Sequence, residues 1–118
     1  MSSPDPTNPA ITQRAQVIRD DSNAPVGWNY KNITTDTTTD VKASAGFLHS
    51  VVINTPVASS VINIYDNTAA SGTLIGTITL PATLLNQGPM TALYDVAFAT
   101  GLTVKTATGA SDITVTYV

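Results

Sequence analysis

Histidine and aspartate are the side chains of this protein that could do acid–base chemistry, and they are few. The 118-residue sequence has one histidine, eight aspartates, no glutamate and no cysteine. A Ser-His-Asp triad would have to use His49. A zinc site takes about four nitrogen or sulfur ligands, which one histidine without cysteine does not supply. The composition therefore predicts no zinc site within a single chain.

His49 lies inside the apolar run GFLHSVVIN at 46–54. Because side chains of a strand alternate between its two faces, we expect His49 to share a face with Phe47, Val51 and Ile53. This setting favours a packed or interface histidine that donates to a backbone carbonyl over a catalytic base.

The aspartates fall mostly at the ends of predicted strands or in the N-terminal segment. Glycoside hydrolysis needs two carboxylates that flank a cleft, whereas the pairs Asp20–Asp21 and Asp36–Asp40 are typical of solvated turns. No Gly-rich phosphate loop follows a strand and opens a helix. The sequence therefore predicts no catalytic, cofactor-binding or metal-binding residue, and no enzymatic activity.

A polar stretch, YDNTAASGT at 65–73, separates two apolar runs. Asp66 and Asn67 can form hydrogen bonds with nearby backbone groups, and Gly72 can adopt a positive φ. One carboxylate without neighbours is not a calcium loop. We interpret the stretch as the connection of a β-hairpin.

Threonine dominates the composition, with 20 residues, while charged residues make up only 11%. Thr, Val and Ile are β-branched and fit a pleated, half-buried surface, whereas the charged and amide residues that favour helical surfaces are scarce. The composition predicts an all-β domain.

The net charge is −3, and the five basic residues are scattered along the chain. Binding of a duplex by charge neutralisation needs a basic patch, so we expect no direct nucleic-acid contact. No apolar run is long enough to span a bilayer, and the polar N-terminus lacks a signal peptide. Synthesis in the cytoplasm, without membrane insertion, is the expectation.

Short strand-like runs recur between turn signals from residue 32 onward. We predict strands over 33–41, 46–54, 60–65, 73–80, 93–98, 102–106 and 113–118, with an eighth possible at 15–18. Their alternation gives each strand one buried face; in 73–80, for example, Leu74, Ile78 and Leu80 share a face. Two sheets packed face to face would bury such faces. The prediction is a single β-sandwich over 32–118, jelly-roll-like rather than immunoglobulin-like.

Residues 1–31 read as an extended N-terminal arm, because Pro4, Pro6 and Pro9 favour extended backbone. A disordered tail is the alternative. Apolar and basic side chains in the arm suggest docking on its own domain or on a neighbouring subunit. The predicted partner-binding residues are Arg14, Val17, Ile18, Arg19, Trp28 and Tyr30. Trp28 and Tyr30 could instead form an aromatic platform for a sugar.

Four stretches of the sequence share a strand-and-turn pattern: AGFLHSVVIN at 45–54, VINIYDNTAASGTLIGTI at 61–78, and the C-terminal strands GLTV at 101–104 and DITVTY at 112–117. Together they resemble small virion proteins of tailed bacteriophages. These virion proteins are Thr/Ala/Gly-rich β-sandwiches that decorate heads or form parts of fibres and tails. The resemblance covers 32–118 and carries no functional residue beyond the core strands.

The resemblance implies a structural role on a virion. We expect a capsid decoration (cement) protein that stabilises the phage head by binding between capsid subunits, located on the capsid surface and commonly trimeric. Its partner would be the major capsid protein or another virion protein, contacted through the arm and one end of the sandwich, with no cofactor. The alternative is a tail or fibre component that binds a host-surface polysaccharide.

Overall fold

The computed structural model describes residues 27–84 and 88–118. Eight strands follow one another: β1 (Asn29–Ile33), β2 (Thr38–Lys42), β3 (Gly46–Thr55), β4 (Val61–Asp66), β5 (Thr73–Thr79), β6 (Met90–Phe98), β7 (Leu102–Ala107) and β8 (Asp112–Tyr117). The described ranges contain no helix. The prediction of an all-β protein is confirmed.

The strands form two antiparallel sheets of four, in the orders β1-β8-β3-β6 and β2-β7-β4-β5. Both sheets contribute to one hydrophobic cluster, in which the most buried side chains include Leu48, Ile53, Ile62, Ile64, Val104 and Ile113. The alternation predicted for β4, β7 and β8 places Ile62, Ile64, Val104 and Ile113 inward as expected. The core therefore lies between the sheets, in agreement with a sandwich-like arrangement.

The predicted strand over 33–41 is in fact two short strands that belong to different sheets. The chain leaves the first sheet after Ile33 and enters the second at Thr38. Between them, Thr37 and Thr106 exchange backbone hydrogen bonds of 3.1 and 2.9 Å. The threonine run has uniform strand propensity, so composition alone did not reveal the crossing. β1 begins at Asn29, inside the segment predicted as an arm.

Beta-bulges explain where the predicted alternation fails. In β5, Ile64 pairs with Gly76 while Tyr65 pairs with Leu74, so Ile75 is an extra residue. A bulge changes which face the following side chains occupy. Leu74 is consequently exposed, and the prediction that it shares the inner face with Ile78 was wrong.

Turn residues behave as their types predict at the two hairpins. Gly72, before β5, has φ of 82°, and Gly109, between β7 and β8, has φ of 111°. Asn67 organises the β4–β5 connection, since its side-chain amide donates to the carbonyl of Ser71 at 2.7 Å. The stretch at 65–73 is therefore a hairpin connection, as predicted.

A tyrosine–glycine contact joins the edge strands of the two sheets. A Cβ added to Gly76 of β5 would lie 2.6 Å from the hydroxyl oxygen of Tyr94 in β6. Burial raises the pKa of the Tyr94 phenol above its ordinary value, because the charged form loses solvation. Gly76 thus provides the space in which the Tyr94 ring packs against the core.

Candidate functional site

The side of the β1-β8-β3-β6 sheet that points away from the core is the candidate functional surface, and we call it the outer face. Residues that pair directly across strands share a face. One row across the sheet consists of Tyr30, Thr116, Ser50 and Leu93, and the next row consists of Asn32, Thr114, Val52 and Thr91. Buried neighbours such as Ile113 and Val115 occupy the opposite, inner side.

Exposed apolar side chains are concentrated on the outer face. Among the described residues, five large hydrophobic side chains are exposed: Trp28 (47%), Tyr30 (71%), Leu74 (49%), Leu93 (65%) and Val118 (39%). All except Leu74 lie on this one side of one sheet. Clustered exposed apolar side chains mark interaction sites more often than single ones do.

An aromatic stack covers one corner of the outer face. The indole of Trp28 lies parallel to the imidazole of His49, with ring centroids 4.3 Å apart and an interplanar angle of 2°. It also stacks on Phe47, at 5.9 Å and 22°. The chain enters β1 just after Trp28, so the ring reaches across the end of β8 to β3. Trp28 is therefore held flat against the sheet while about half of its surface is exposed.

A bulge positions the carboxylate that holds His49. His49 in β3 faces two residues of β6, Tyr94 and Asp95, and Asp95 has φ of 50°. This left-handed conformation is unusual for a residue other than glycine. The Asp95 carboxylate accepts a hydrogen bond of 2.6 Å from Nδ1 of His49, since an ionised carboxylate can only accept.

Two predictions about His49 are corrected by this geometry. Of the three residues predicted to share a face with His49, Phe47 lies with it on the outer face, whereas Val51 and Ile53 are buried on the inner side. The reason is that the bulge interrupts the alternation. The partner of His49 is a carboxylate and not a backbone carbonyl. A bulge has no simple signature in a single sequence, so alternation alone placed His49 with the core residues.

Most other polar side chains of the outer face are hydrogen-bonded to one another. The hydroxyls of Ser50 and Thr116 lie 2.6 Å apart. The amides of Asn32 and Asn54 both donate to Oδ1 of Asp112, at 2.7 and 3.1 Å. This network joins β1, β8 and β3 and leaves few of its polar groups available to a ligand.

The other sheet presents a more polar exterior. Lys105 lies between Thr38 and Asn63, and the Thr77 hydroxyl donates to the side-chain oxygen of Asn63 at 2.8 Å. Leu74 is the large apolar side chain exposed there. The two outsides of the molecule therefore differ in chemistry.

The Asp66 carboxylate has a structural function at the β6–β7 turn. It accepts backbone N–H groups from Ala99, Thr100 and Gly101, at 2.9, 2.8 and 3.4 Å. These bonds, with those from Ala99 and Thr100 strongest, lower the pKa of Asp66 below its ordinary value, because they favour the charged form. The expected local hydrogen bonds of Asp66 were wrong in this detail, since its partners lie more than 30 positions away.

The His49–Asp95 pair resembles the base and orienting carboxylate of a triad, but a triad also needs a nucleophile bonded to the other ring nitrogen. Within the described ranges, the only hydrogen bond of the His49 side chain is to Asp95.

The same ranges contain no group of three or more residues that could hold a metal ion. In 27–84 and 88–118, no helix has the length and apolar character that a membrane crossing requires.

The predicted partner-binding residues divide into two groups. Trp28 and Tyr30 lie together on the outer face, whereas Arg14, Val17, Ile18 and Arg19 lie outside the described residues, as does the possible strand at 15–18. Sequence reasoning missed Leu93 and Val118 as surface residues. Leu93 and Asp95 lie two positions apart in one predicted strand, so alternation places them on the same side, and this signal was present in the sequence.

Comparisons with protein-family models, curated proteins and solved structures found no match to this chain. The resemblance to phage virion proteins therefore stays a prediction from strand-and-turn patterns.

Proposed function

We propose that this protein is a structural protein of a virion that docks on other protein subunits through the outer face of its β1-β8-β3-β6 sheet. The observation that carries the proposal is the concentration of Trp28, Tyr30, Leu93 and Val118 on that face. The polar groups of the face are largely paired internally. Such a surface can be desolvated at low cost when it meets a complementary protein surface.

The fold that we propose is a jelly roll. A jelly roll forms when a long antiparallel hairpin of eight strands is rolled up. In one of its sheets β1 then pairs with β8, β8 with β3 and β3 with β6, and the remaining strands form the other sheet. The orders β1-β8-β3-β6 and β2-β7-β4-β5 agree with this scheme. Jelly rolls are common among viral capsid domains, which supports the proposed class of function by analogy only.

In the proposed mechanism the protein acts as a capsid decoration protein. Each bound copy buries apolar surface against shell subunits, so parting those subunits exposes the surface again. Binding to the assembled shell then stabilises it by mass action. A homotrimer bound to the major capsid protein or another virion protein would add avidity, because several outer faces would engage at once. No reaction centre is needed for this role.

Paired leucine variants test the proposal. Leu93→Asp places a charge on the outer face, and Leu74→Asp places the same charge on the other sheet at similar exposure. The two proteins are added to purified phage particles stripped of the wild-type protein, and the bound fraction is measured by sedimentation. We expect Leu93→Asp to lose binding and Leu74→Asp to keep it. Equal binding of the two variants would rule out the outer face as the docking surface.

A saccharide-binding component of a tail or fibre is the second candidate. The flat, half-exposed indole of Trp28 favours it, because the C–H groups of a sugar ring stack on an aromatic face. A glycan array with wild-type protein and Trp28→Ala discriminates the two. Saccharide binding that depends on Trp28, together with normal particle binding by Leu93→Asp, would favour this second function.

A further inference from the structure

In the corner of the outer face formed by Trp28, His49 and Asp95, each side chain contacts the next. The Trp28 ring stacks on the His49 ring, and His49 is hydrogen-bonded to Asp95. Asp95 itself is held in a left-handed conformation, which is strained for a residue other than glycine. Strain of this kind is often found at binding sites, where it holds groups in place before the partner arrives.

The groups that this corner offers to a partner are an aromatic ring face and a carboxylate oxygen. Oδ1 of Asp95 is engaged by His49, which leaves the second oxygen of a side chain that is 46% exposed. A sugar would need many donors and acceptors, but the neighbouring hydroxyls and amides are bonded to one another. A guanidinium fits better, because its plane stacks on an indole while its N–H groups donate to a carboxylate.

The charges of the outer face favour the same partner. Among its described residues the face carries the carboxylates of Asp95 and Asp112 and has no lysine or arginine. The two arginines of the chain, Arg14 and Arg19, both precede Trp28 and flank the apolar pair Val17 and Ile18. Residues 14–19 thus combine cationic and apolar side chains that are complementary to the face.

The connection between this segment and the corner is short. Arg19 precedes Trp28 by nine positions, which span at most about 30 Å when extended. The outermost strands of a four-stranded sheet are about 14 Å apart, so Arg19 can reach Trp28 and Asp95 of its own chain. A tether of this length gives an effective concentration near the millimolar range, which favours contact with the same chain over contact with a second copy.

We propose that residues 14–19 dock on the outer face of their own chain in the free protein, with an arginine on Trp28 and Asp95. The inference rests on the proposed function, since it assigns to the docking face an internal occupant that shields it before assembly. A shell subunit would then bind by displacing the segment. Shielding keeps the exposed apolar side chains from causing self-association in solution.

Tryptophan fluorescence tests this directly, because Trp28 is the only tryptophan of the chain. Quenching by acrylamide is measured for the full-length protein and for the double variant Arg14→Ala/Arg19→Ala. Lys105→Ala, on the outside of the other sheet, is the control for a lost positive charge. We expect the quenching constant to rise in the double variant and to stay unchanged in the control. An unchanged constant in the double variant would overturn the proposal.

Salt tests whether the contact with Trp28 is electrostatic, and dilution tests whether the contacting segment belongs to the same chain. At 1 M NaCl the screening length falls to about 3 Å, so we expect the wild-type quenching constant to approach that of the double variant. The wild-type value should not change on dilution if the segment belongs to the same chain. Quenching that increases on dilution would identify a second copy as the source and contradict the proposal.

The docking function and the internal contact can fail separately. If Leu93→Asp binds particles as Leu74→Asp does, the docking function fails, whatever the fluorescence of Trp28. If Leu93→Asp loses binding but the arginine variant leaves Trp28 unchanged, the internal contact alone fails. A Trp28 emission shift on addition of neutral oligosaccharides, equal in wild type and arginine variant, would instead assign the corner to a saccharide.

Discussion

The two sheets are alike on their inner sides and different on their outer sides. Each sheet has four strands, and each contributes buried aliphatic side chains to one core. Outside, the β1-β8-β3-β6 sheet exposes two aromatic rings and Leu93, whereas the β2-β7-β4-β5 sheet exposes Thr38 and Lys105 beside the half-buried Asn63. Folding requires the inner similarity but not the outer difference. The outer difference is therefore the feature that points to function.

The largest expected effect on stability comes from truncating a core side chain of either sheet, because the two inner sides are equivalent. Ile64→Ala in β4 and Ile113→Ala in β8 each remove a fully buried side chain, one from each sheet. We expect each to lower the free energy of unfolding by about 2–5 kcal/mol, since burial is lost and a cavity forms. Urea denaturation measures both. A large loss for one variant and none for the other would show that the sheets do not share a core.

The second largest effect on stability is expected where the edge strands of the two sheets meet. Gly76→Ala places a Cβ against the Tyr94 hydroxyl, so we expect a loss of about 1–3 kcal/mol from overpacking. Adding Tyr94→Phe removes the nearest atom and should restore part of the stability. Thermal unfolding of the single and double variants measures this. Additive losses would contradict the contact.

Acid stability depends on Asp66, which belongs to the polar sheet and holds the β6–β7 turn. Its pKa is lower in the folded state than in the unfolded state, so it stabilises the fold above the ordinary aspartate pKa near 3.9 and less as pH falls through its folded pKa. We expect Asp66→Asn to have a lower Tm than wild type at pH 7, with the difference shrinking toward pH 2. Asp40→Asn is the matched control on the same sheet. A difference independent of pH would contradict this assignment.

The smallest effect on stability is expected at the exposed leucines. Leu93→Ser and Leu74→Ser should each change the free energy of unfolding by less than about 0.5 kcal/mol. Binding of a hydrophobic dye should nevertheless fall more for Leu93→Ser, because the face of Leu93 also exposes Trp28, Tyr30 and Val118, whereas Leu74 is the one large hydrophobic side chain exposed on the other sheet among the described residues. Equal dye binding would remove the contrast between the two outsides.

The core could be predicted from the sequence because its signal is local. Alternation in VINIYD and DITVTY placed Ile62, Ile64 and Ile113 inward, and glycine placed the turn at Gly72. These features depend on neighbouring residues and on backbone conformations that few residue types adopt.

The candidate site could be predicted only in part, because it depends on contacts between distant strands. Trp28 and Tyr30 were predicted to bind a partner because of their residue type, and the structure places both on the outer face. Their neighbours His49 and Asp95 come together through a bulge and through pairing of strands more than 40 positions apart. Pairing of this kind is set by the whole sheet, so alternation within one strand did not reveal it.

A cryo-electron microscopy map of the phage particle with the protein bound tests the central claim most directly. We expect the outer face, marked by Tyr30 and Leu93, to lie against neighbouring protein density and the side that carries Lys105 and Asn63 to face solvent. A map in which Tyr30 and Leu93 face solvent, or in which the protein is absent from the particle, would contradict the account.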